Sequence, residues 1–240
     1  MAKEYDDITA FHYASYRPPL HSKILTRLLG NESYGSGLDI GCGTGQSSIA
    51  LADFCDRVVG IDPSGDMISK GIKNSKVVYS FFDKTQISFN DASFDIITLA
   101  GSLWYAKSQQ LLDEIVRVGG KHSKVLIYDF QVLLDDIFGK LGFEKKGDSS
   151  PEYNHQENFS GLDTSEIKKL NGGCESMLVQ MTAKELAHLV LSVKKQYSFL
   201  ANLYGSQKLY DTIVTKIDPD LHSRSFDIEA DTFFTLYQIK

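Results

Sequence analysis

Leu38-Asp39-Ile40-Gly41-Cys42-Gly43-Thr44-Gly45-Gln46 joins an apolar run, an acid and three alternating glycines. Glycines at 41, 43 and 45 let the backbone turn tightly and approach a ligand closely, and a helix starting after them offers unpaired amides. The dinucleotide fingerprint G-x-G-x-x-G needs glycine at position 46 in this register, where Gln46 stands. Asp39 discriminates further, because a carboxylate at the end of a strand repels a pyrophosphate and attracts an ammonium group. The turn suits a zwitterion and disfavours NAD.

Outward from this turn, residues 36–130 alternate short apolar or β-branched runs with amphipathic stretches, the pattern of a parallel sheet covered by helices. Strands are expected at Gly37–Ile40, Arg57–Ile61, Lys76–Phe82, Phe94–Leu99 and Lys124–Asp129, and helices at Gln46–Phe54, Gly65–Lys73 and Ser108–Val118. The fold class is α/β. Upstream, Asp7–Leu29 reads as one or two helices interrupted at Pro18-Pro19. Downstream, Asp135–Leu141 reads as a helix and Lys146–Thr164 as a polar stretch. Thr182-Ala183-Lys184-Glu185 is a capping box opening one long helix to about Leu203, and a further helix spans Ser206–Ile217. The alternating tail Asp231–Lys240 reads as a last strand. The whole is expected to be one domain, 1–240, with a helical cap (1–35), a ligand-binding core (36–130) and a substrate lid with the final strands (131–240).

The chain of 240 residues carries 25 basic and 31 acidic side chains, a formal charge of −6, which argues against a polyphosphate partner. Glu144-Lys145-Lys146 and Glu166-Ile167-Lys168-Lys169 read as solvated helix faces. Cys42, Cys55 and Cys174 form no CxxC pair, so neither a disulfide framework nor a zinc site is expected, and no metal is assigned. No run approaches a membrane span and the first ten residues lack a signal-peptide core, so a cytoplasmic protein is expected.

Two more acids fall at strand ends. Gly60-Ile61-Asp62 ends the second strand, where nucleoside-binding α/β folds place the carboxylate that accepts from ribose hydroxyls. Asp83 follows the third, where a carboxylate can accept an adenine amino hydrogen. Adenosine plus an amino acid is the implied ligand. The ordered set of Asp39, the glycine turn, Asp62 and Asp83 resembles the class I S-adenosylmethionine (SAM) dependent methyltransferases. So do Val59-Gly60-Ile61-Asp62-Pro63-Ser64-Gly65-Asp66-Met67-Ile68, the stretch from Asp83 to Phe89, Ser93-Phe94-Asp95 and Glu114-Ile115-Val116-Arg117-Val118. The likeness covers roughly residues 11–130 and is of the methyltransferase type 11 kind.

The resemblance implies a Rossmann-like, doubly wound sheet of about seven mostly parallel strands with the last antiparallel, a helical N-terminal cap, and a helical insertion before the final strands. It implies SAM as cofactor and S-adenosylhomocysteine (SAH) as product. Asp39 and the glycine loop, Gly41, Cys42, Gly43 and Gly45, would hold the methionine moiety, Asp62 the ribose, Pro63 and Met67 the adenine faces, and Asp83 the adenine amino group, with Ala100 a further cofactor-binding residue. Phe11-His12-Tyr13-Ala14-Ser15-Tyr16-Arg17-Pro18 and Leu99-Ala100-Gly101-Ser102-Leu103-Trp104-Tyr105 are similar to the trans-aconitate methyltransferase subgroup. That subgroup carries His or Gln followed by Trp where this chain has Trp104 and Tyr105, which removes a polar group from the substrate pocket.

Methyl transfer from a sulfonium asks mainly for positioning and exclusion of water. A carboxylate acceptor would want a cation, for which Arg17 is the candidate; a phenol or amine would want a base, for which His12 and His155 are the candidates. Tyr13, Tyr16, Arg17, Trp104 and Tyr105 are the substrate-side set, with ring faces able to attract the sulfonium. No Asn-Pro-Pro-Tyr or Asp-Pro-Pro-Tyr stretch follows the fourth strand, and with the acidic balance this points to a small-molecule acceptor, with no nucleic acid or membrane, in a monomer or homodimer. The competing readings are a SAM-binding regulatory protein without transferase activity and an NAD-dependent dehydrogenase.

Overall fold

The computed structural model describes residues 7–16, 18–83, 86–143, 153–220 and 225–240. The chain folds into two compact units, one of residues 20–131, 152–175 and 231–240, the other of 1–19, 132–151 and 176–230. The first carries the nucleotide-binding pattern.

Seven strands form one sheet: β1 (Tyr34–Ile40), β2 (Cys55–Asp62), β3 (Val77–Phe81), β4 (Ile96–Ala100), β5 (Lys124–Val132), β6 (Ile167–Thr182) and β7 (Ser225–Ile239), in the order β3-β2-β1-β4-β5-β7-β6. The pairs β1–β2, β1–β4, β2–β3 and β4–β5 are parallel. Ile239 N–H donates to Ser123 O just before β5, while Leu133 N–H donates to Glu229 O at the other end, so β7 runs antiparallel to β5. The order reverses between β1 and β4, and open α/β sheets bind ligands at that switch, outside the carboxyl ends of the strands.

Helix α1 (Asp7–Ser15) ends before Pro18-Pro19 and α2 (Leu20–Leu29) starts after them, as the prolines require. The boundary expected at residue 35 falls instead at Pro19, so α2 groups with the sheet. The crossovers are α3 (Gln46–Leu51), α4 (Gly65–Ser69), the short α5 (Leu103–Ala106) and α6 (Gln109–Gly119). Ser108 caps α6 by accepting from Leu111 N–H, and the helix buries Leu111, Leu112, Ile115 and Val118, which sit on one face at 3.6-residue spacing. They join Leu38, Ile40, Ile97, Leu99, Val125 and Ile127 from the strands, with Phe159 and Tyr237, in one apolar core. Arg117 at the end of α6 donates to Ile87 O and Phe89 O and pairs with Glu114 and Asp91, tying the segment before β4 to the helix.

The second unit holds α1, α7 (Asp135–Lys140), α8 (Ala183–Leu191), α9 (Lys194–Tyr204) and α10 (Leu209–Ile217). Leu186, Val190, Leu191, Leu200, Ile213 and Ile217 are almost fully buried in it. The capping box at Thr182 is present, with Glu185 reaching back to the Thr182 N–H. The single helix expected from it is two. Ser192 Oγ bonds Leu189 O and Val193 turns extended, so the first helix stops and a second begins.

Strand β6 corrects the expectation most. Its residues are largely exposed and polar, so Glu166-Ile167-Lys168-Lys169, which reads as a helix face, is the start of a strand at the sheet edge. The last strand likewise begins at Ser225 rather than Asp231. Glu144-Lys145-Lys146 lies outside the described residues. No helix among the described residues is long and apolar enough to cross a membrane.

Candidate functional site

The turn after β1 is held from below by two backbone bonds, Gly41 N–H and Cys42 N–H both donating to Ile61 O of β2. Gly41, Gly43 and Gly45 all have positive φ, at 75°, 56° and 96°, which a side chain resists. At Gly45 a Cβ would also lie 2.0 Å from the Tyr79 hydroxyl, so that ring of β3 is wedged beneath the loop. Gly43 is different: a Cβ there would meet nothing within 4 Å, so its backbone faces open space. Cys42 is buried, and burial with the nearby Asp39 and Asp62 carboxylates pushes its thiol pKa up.

Asp39 is fully buried. Its carboxylate accepts from Ser47 Oγ at 2.5 Å, Ser48 Oγ at 2.7 Å and Thr98 Oγ1 at 2.9 Å. Burial raises its pKa, the three hydroxyls oppose the rise, and Asp62 adds to it. The direct contact with a ligand ammonium expected of Asp39 is therefore not what this geometry offers. The group instead pins the strand end to α3 and β4, and any effect on a bound cation is through space. The serines follow the glycine turn and the threonine sits in β4, so only the packed structure joins the three.

Asp62 ends β2 and is largely buried. Its Oδ2 accepts from Gly43 N–H at 2.9 Å and its Oδ1 from Ser64 N–H at 2.8 Å, which ties the glycine loop to the end of β2. Each oxygen keeps a second acceptor site. Ser64 Oγ caps α4 by accepting from Met67 N–H, setting the half-buried Met67 one turn beyond the exposed Pro63. Asp83 is exposed past β3, with Oδ1 3.5 Å from Gln86 N.

At the exit of β4, half-buried Ala100 leads into Gly101 and Ser102, and Ser102 Oγ donates to Ile40 O at 2.5 Å. This bond ties the exit to the glycine turn across the switch point. Trp104 and Tyr105 are both exposed, and both rings pack against Tyr153, at centroid distances of 5.8 and 5.7 Å. Tyr153 donates to Gly101 O at 2.8 Å, and His155 Nδ1 lies 2.9 Å from Asp129 Oδ2 at the end of β5. Sequence reasoning misses Asp129 and Tyr153. A signal for Asp129 exists, since it is another acid at the carboxyl end of a parallel strand.

The remaining candidates belong to the other unit. Arg17 lies outside the described residues, Tyr13 falls in α1, and Tyr16 is half-buried, with burial and Glu185 pushing its hydroxyl pKa up to about 12. His12 is buried, with Nδ1 2.9 Å from His188 Nδ1, and it stacks on Tyr210 at 5.9 Å. At this distance one ring nitrogen donates to the other. Burial first, and His188 second, lower the His12 pKa from its ordinary 6.5, and burial lowers that of His188. Because the folded values lie below the unfolded ones, the unfolded chain takes up protons first as pH falls through about 6.5. The pair therefore costs nothing above that pH and destabilises the fold below it. The melting temperature is expected to drop between about pH 7 and pH 5, and less steeply in His12→Phe; equal slopes in both proteins would refute the coupling.

A methyltransferase domain model matches residues 38–127, the span from the glycine turn to β5. An uncharacterized methyltransferase of Staphylococcus carnosus is 34% identical over 165 residues, which cover 66% of this chain and 74% of that protein. The chain belongs to the SAM-dependent methyltransferases. A demethylmenaquinone methyltransferase of Clavibacter sepedonicus is 34% identical over 98 residues, 39% of this chain and 40% of that one. The matched stretches cover 47%, 37% and 40% of three curated relatives, so this methyltransferase chain spans less than half of their length in those alignments. Among solved structures, a protein of Anaeromyxobacter dehalogenans proposed to be a type II methyltransferase superposes with a TM-score of 0.66 at 18% identity, over 92% of this chain and 97% of that one. At that identity the likeness carries the fold.

The cofactor of these methyltransferases is SAM, and the donor set fits it. Gly43 turns bare backbone to open space beside the Asp62 carboxylate, a pairing that accepts from ligand hydroxyls and repels a phosphate. Among the described residues no group of three or more His, Cys, Asp and Glu is placed to hold a metal ion.

Proposed function

We propose that this chain transfers a methyl group from SAM to a small-molecule acceptor. The observation that carries the reading is the Asp62 carboxylate, which braces the glycine loop through Gly43 N–H and still presents acceptor sites at the end of β2. Those sites suit the two ribose hydroxyls. Pro63 and Met67 would flank the adenine and Asp83 would accept from its amino group. The turn at Gly41, Cys42, Gly43 and Gly45, with Ala100 opposite, would cradle the methionine moiety. SAM supplies an activated methyl group on a positively charged sulfur; the protein's part is to hold that group and the acceptor together in a site without water.

The net charge of −6 and the exposed aromatic pair Trp104 and Tyr105 beside the β4 exit favour a small, partly apolar acceptor over nucleic acid. Relatives and neighbours with small acceptors in their names include the demethylmenaquinone methyltransferase and a phosphoethanolamine N-methyltransferase of Haemonchus contortus. Calorimetric titration with SAH, with NAD as control, is expected to give micromolar binding of SAH alone. Binding of NAD in its place would return the glycine turn to the dehydrogenases.

A further inference from the structure

We propose that His155, held by Asp129, is the general base that deprotonates the methyl acceptor, so that the acceptor is a protic nucleophile, a phenol or an amine, rather than a carboxylate. This inference rests on the methyl-transfer reading of the same site. It starts from the position of the pair. Gly41 packs against Ser102, whose Oγ bonds Ile40 O, and the neighbouring Gly101 carbonyl accepts from Tyr153. A Cβ on Gly101 would lie 3.1 Å from Asp129 Oδ1 and 3.7 Å from the Tyr153 hydroxyl. The glycine turn, the β4 exit, Asp129, Tyr153 and His155 are thus one contiguous set within one unit.

Its geometry fixes a tautomer. Asp129 Oδ1 accepts from Phe130 N–H at 2.8 Å, which leaves Oδ2 to accept from His155 Nδ1–H at 2.9 Å. With Nδ1 protonated, the lone pair of the neutral ring is on Nε2. Nε2 has no partner among the described residues. The ring lies flat over Phe233 at 5.7 Å and meets the edge of Tyr153 at 4.7 Å, so its orientation is set by packing as well as by the carboxylate. His155 also lines a cavity of about 220 Å³ with Ile127, Phe233, Thr235 and Cys174, where Glu157 and Lys169 are the charged groups. Glu157 is already paired with Lys107 at 2.6 Å.

A carboxylate acceptor is already nucleophilic and needs no base, so a histidine oriented by a carboxylate has a task only with a protic acceptor. A hydroxyl or ammonium-derived acceptor needs one. In the step, the acceptor lone pair forms the bond to the methyl carbon and the carbon–sulfur bond breaks with its electron pair going to sulfur. The acceptor proton goes to His155 Nε2 and then to water, and Asp129 stabilises the imidazolium in between.

The test uses the whole chain with isotopically labelled histidine, saturated with SAH. Nitrogen NMR is expected to show a protonated, hydrogen-bonded Nδ1 and a bare Nε2 on His155, and addition of 4-methylphenol or phenethylamine is expected to move the Nε2 signal. In parallel, SAH release from SAM is followed with 4-methylphenol, phenethylamine and benzoate as acceptors. His155→Ala is expected to lower turnover of the phenol or amine by about 10²–10⁴-fold, and Asp129→Asn to lower it and reverse the tautomer, while both variants keep SAH affinity within about threefold. Turnover confined to benzoate, turnover indifferent to His155→Ala, or an Nε2 signal moved by neither the phenol nor the amine overturns the proposal; a moved signal with turnover lost in His155→Ala supports it. Failure of the wild-type chain to bind SAH would instead sink the methyl-transfer reading, and is seen in the titration before any acceptor is added.

Discussion

Gly41→Ala is expected to lower the melting temperature by about 10 °C and to weaken SAH binding at least tenfold. Two penalties combine at this one position. The residue sits at φ 75°, where alanine pays about 1–3 kcal/mol. A Cβ would lie 2.4 Å from Ser102 Cβ and 2.9 Å from its Oγ, distances that force the β4 exit to move. Overpacking of that kind costs about 1–3 kcal/mol more. The displaced residue is the one whose hydroxyl holds Ile40 O, so the turn and the exit separate together. The two penalties can be told apart: Ser102→Gly added to Gly41→Ala removes the clash but leaves the strained φ, and is expected to recover part of the stability. A Gly41→Ala protein that melts and binds SAH like the wild type would mean that the turn is not built as described.

Most of the parallel half of the sheet is legible in the sequence because its strands are buried on both faces and read as apolar runs. Ile96–Ala100 and the buried middle of Lys124–Val132 are of this kind. Ser108 and Gly120 mark α6 because caps have local chemistry. The edge strand β6 has neither signal. Its lysines, Asn171 and paired glycines face outward, and its place comes from pairing with β7 rather than from its own pattern. The break at Ser192-Val193 is hidden for a related reason, since helix propensity runs on through it and a side-chain bond to Leu189 O decides.

The site is legible where a strand end and a glycine turn coincide, and less so where three segments converge. Asp39 stands out as an acid, but its three hydroxyl partners come from α3 and from β4, so its burial and satisfaction emerge only on packing. The Asp129–His155 pair joins residues 26 apart across a polar stretch whose sequence has no periodicity to place it. Likewise the contact of His12 with His188 spans 176 residues. Either histidine is a fair candidate base from sequence; geometry separates them, because one neighbours the β4 exit and the other is hydrogen-bonded to a second imidazole.

Asp62→Ala is expected to weaken SAH binding by about 3 kcal/mol, roughly 10²-fold, and to lower stability by about 2 kcal/mol. The size follows from the double duty of this carboxylate. It accepts from Gly43 N–H and Ser64 N–H at once, so truncation leaves two amides of the turn unpaired as well as removing the ribose acceptor. Asp62→Asn separates these roles. Its carbonyl oxygen still satisfies one amide while its NH₂ group faces the other, so stability should fall by about half as much. Affinity should fall nearly as far as in the alanine variant, because two ribose hydroxyls need two acceptors. Asp83→Asn makes the contrast, since that side chain is exposed and bonded to its own turn, and a loss of about tenfold or less is expected there. Calorimetry on the three variants, with thermal melts alongside, orders them. Unchanged SAH affinity in Asp62→Ala would refute the ribose assignment outright. Equal losses in Asp62→Asn and Asp62→Ala for both stability and affinity would assign the whole effect to the brace on Gly43 and Ser64 rather than to the ligand.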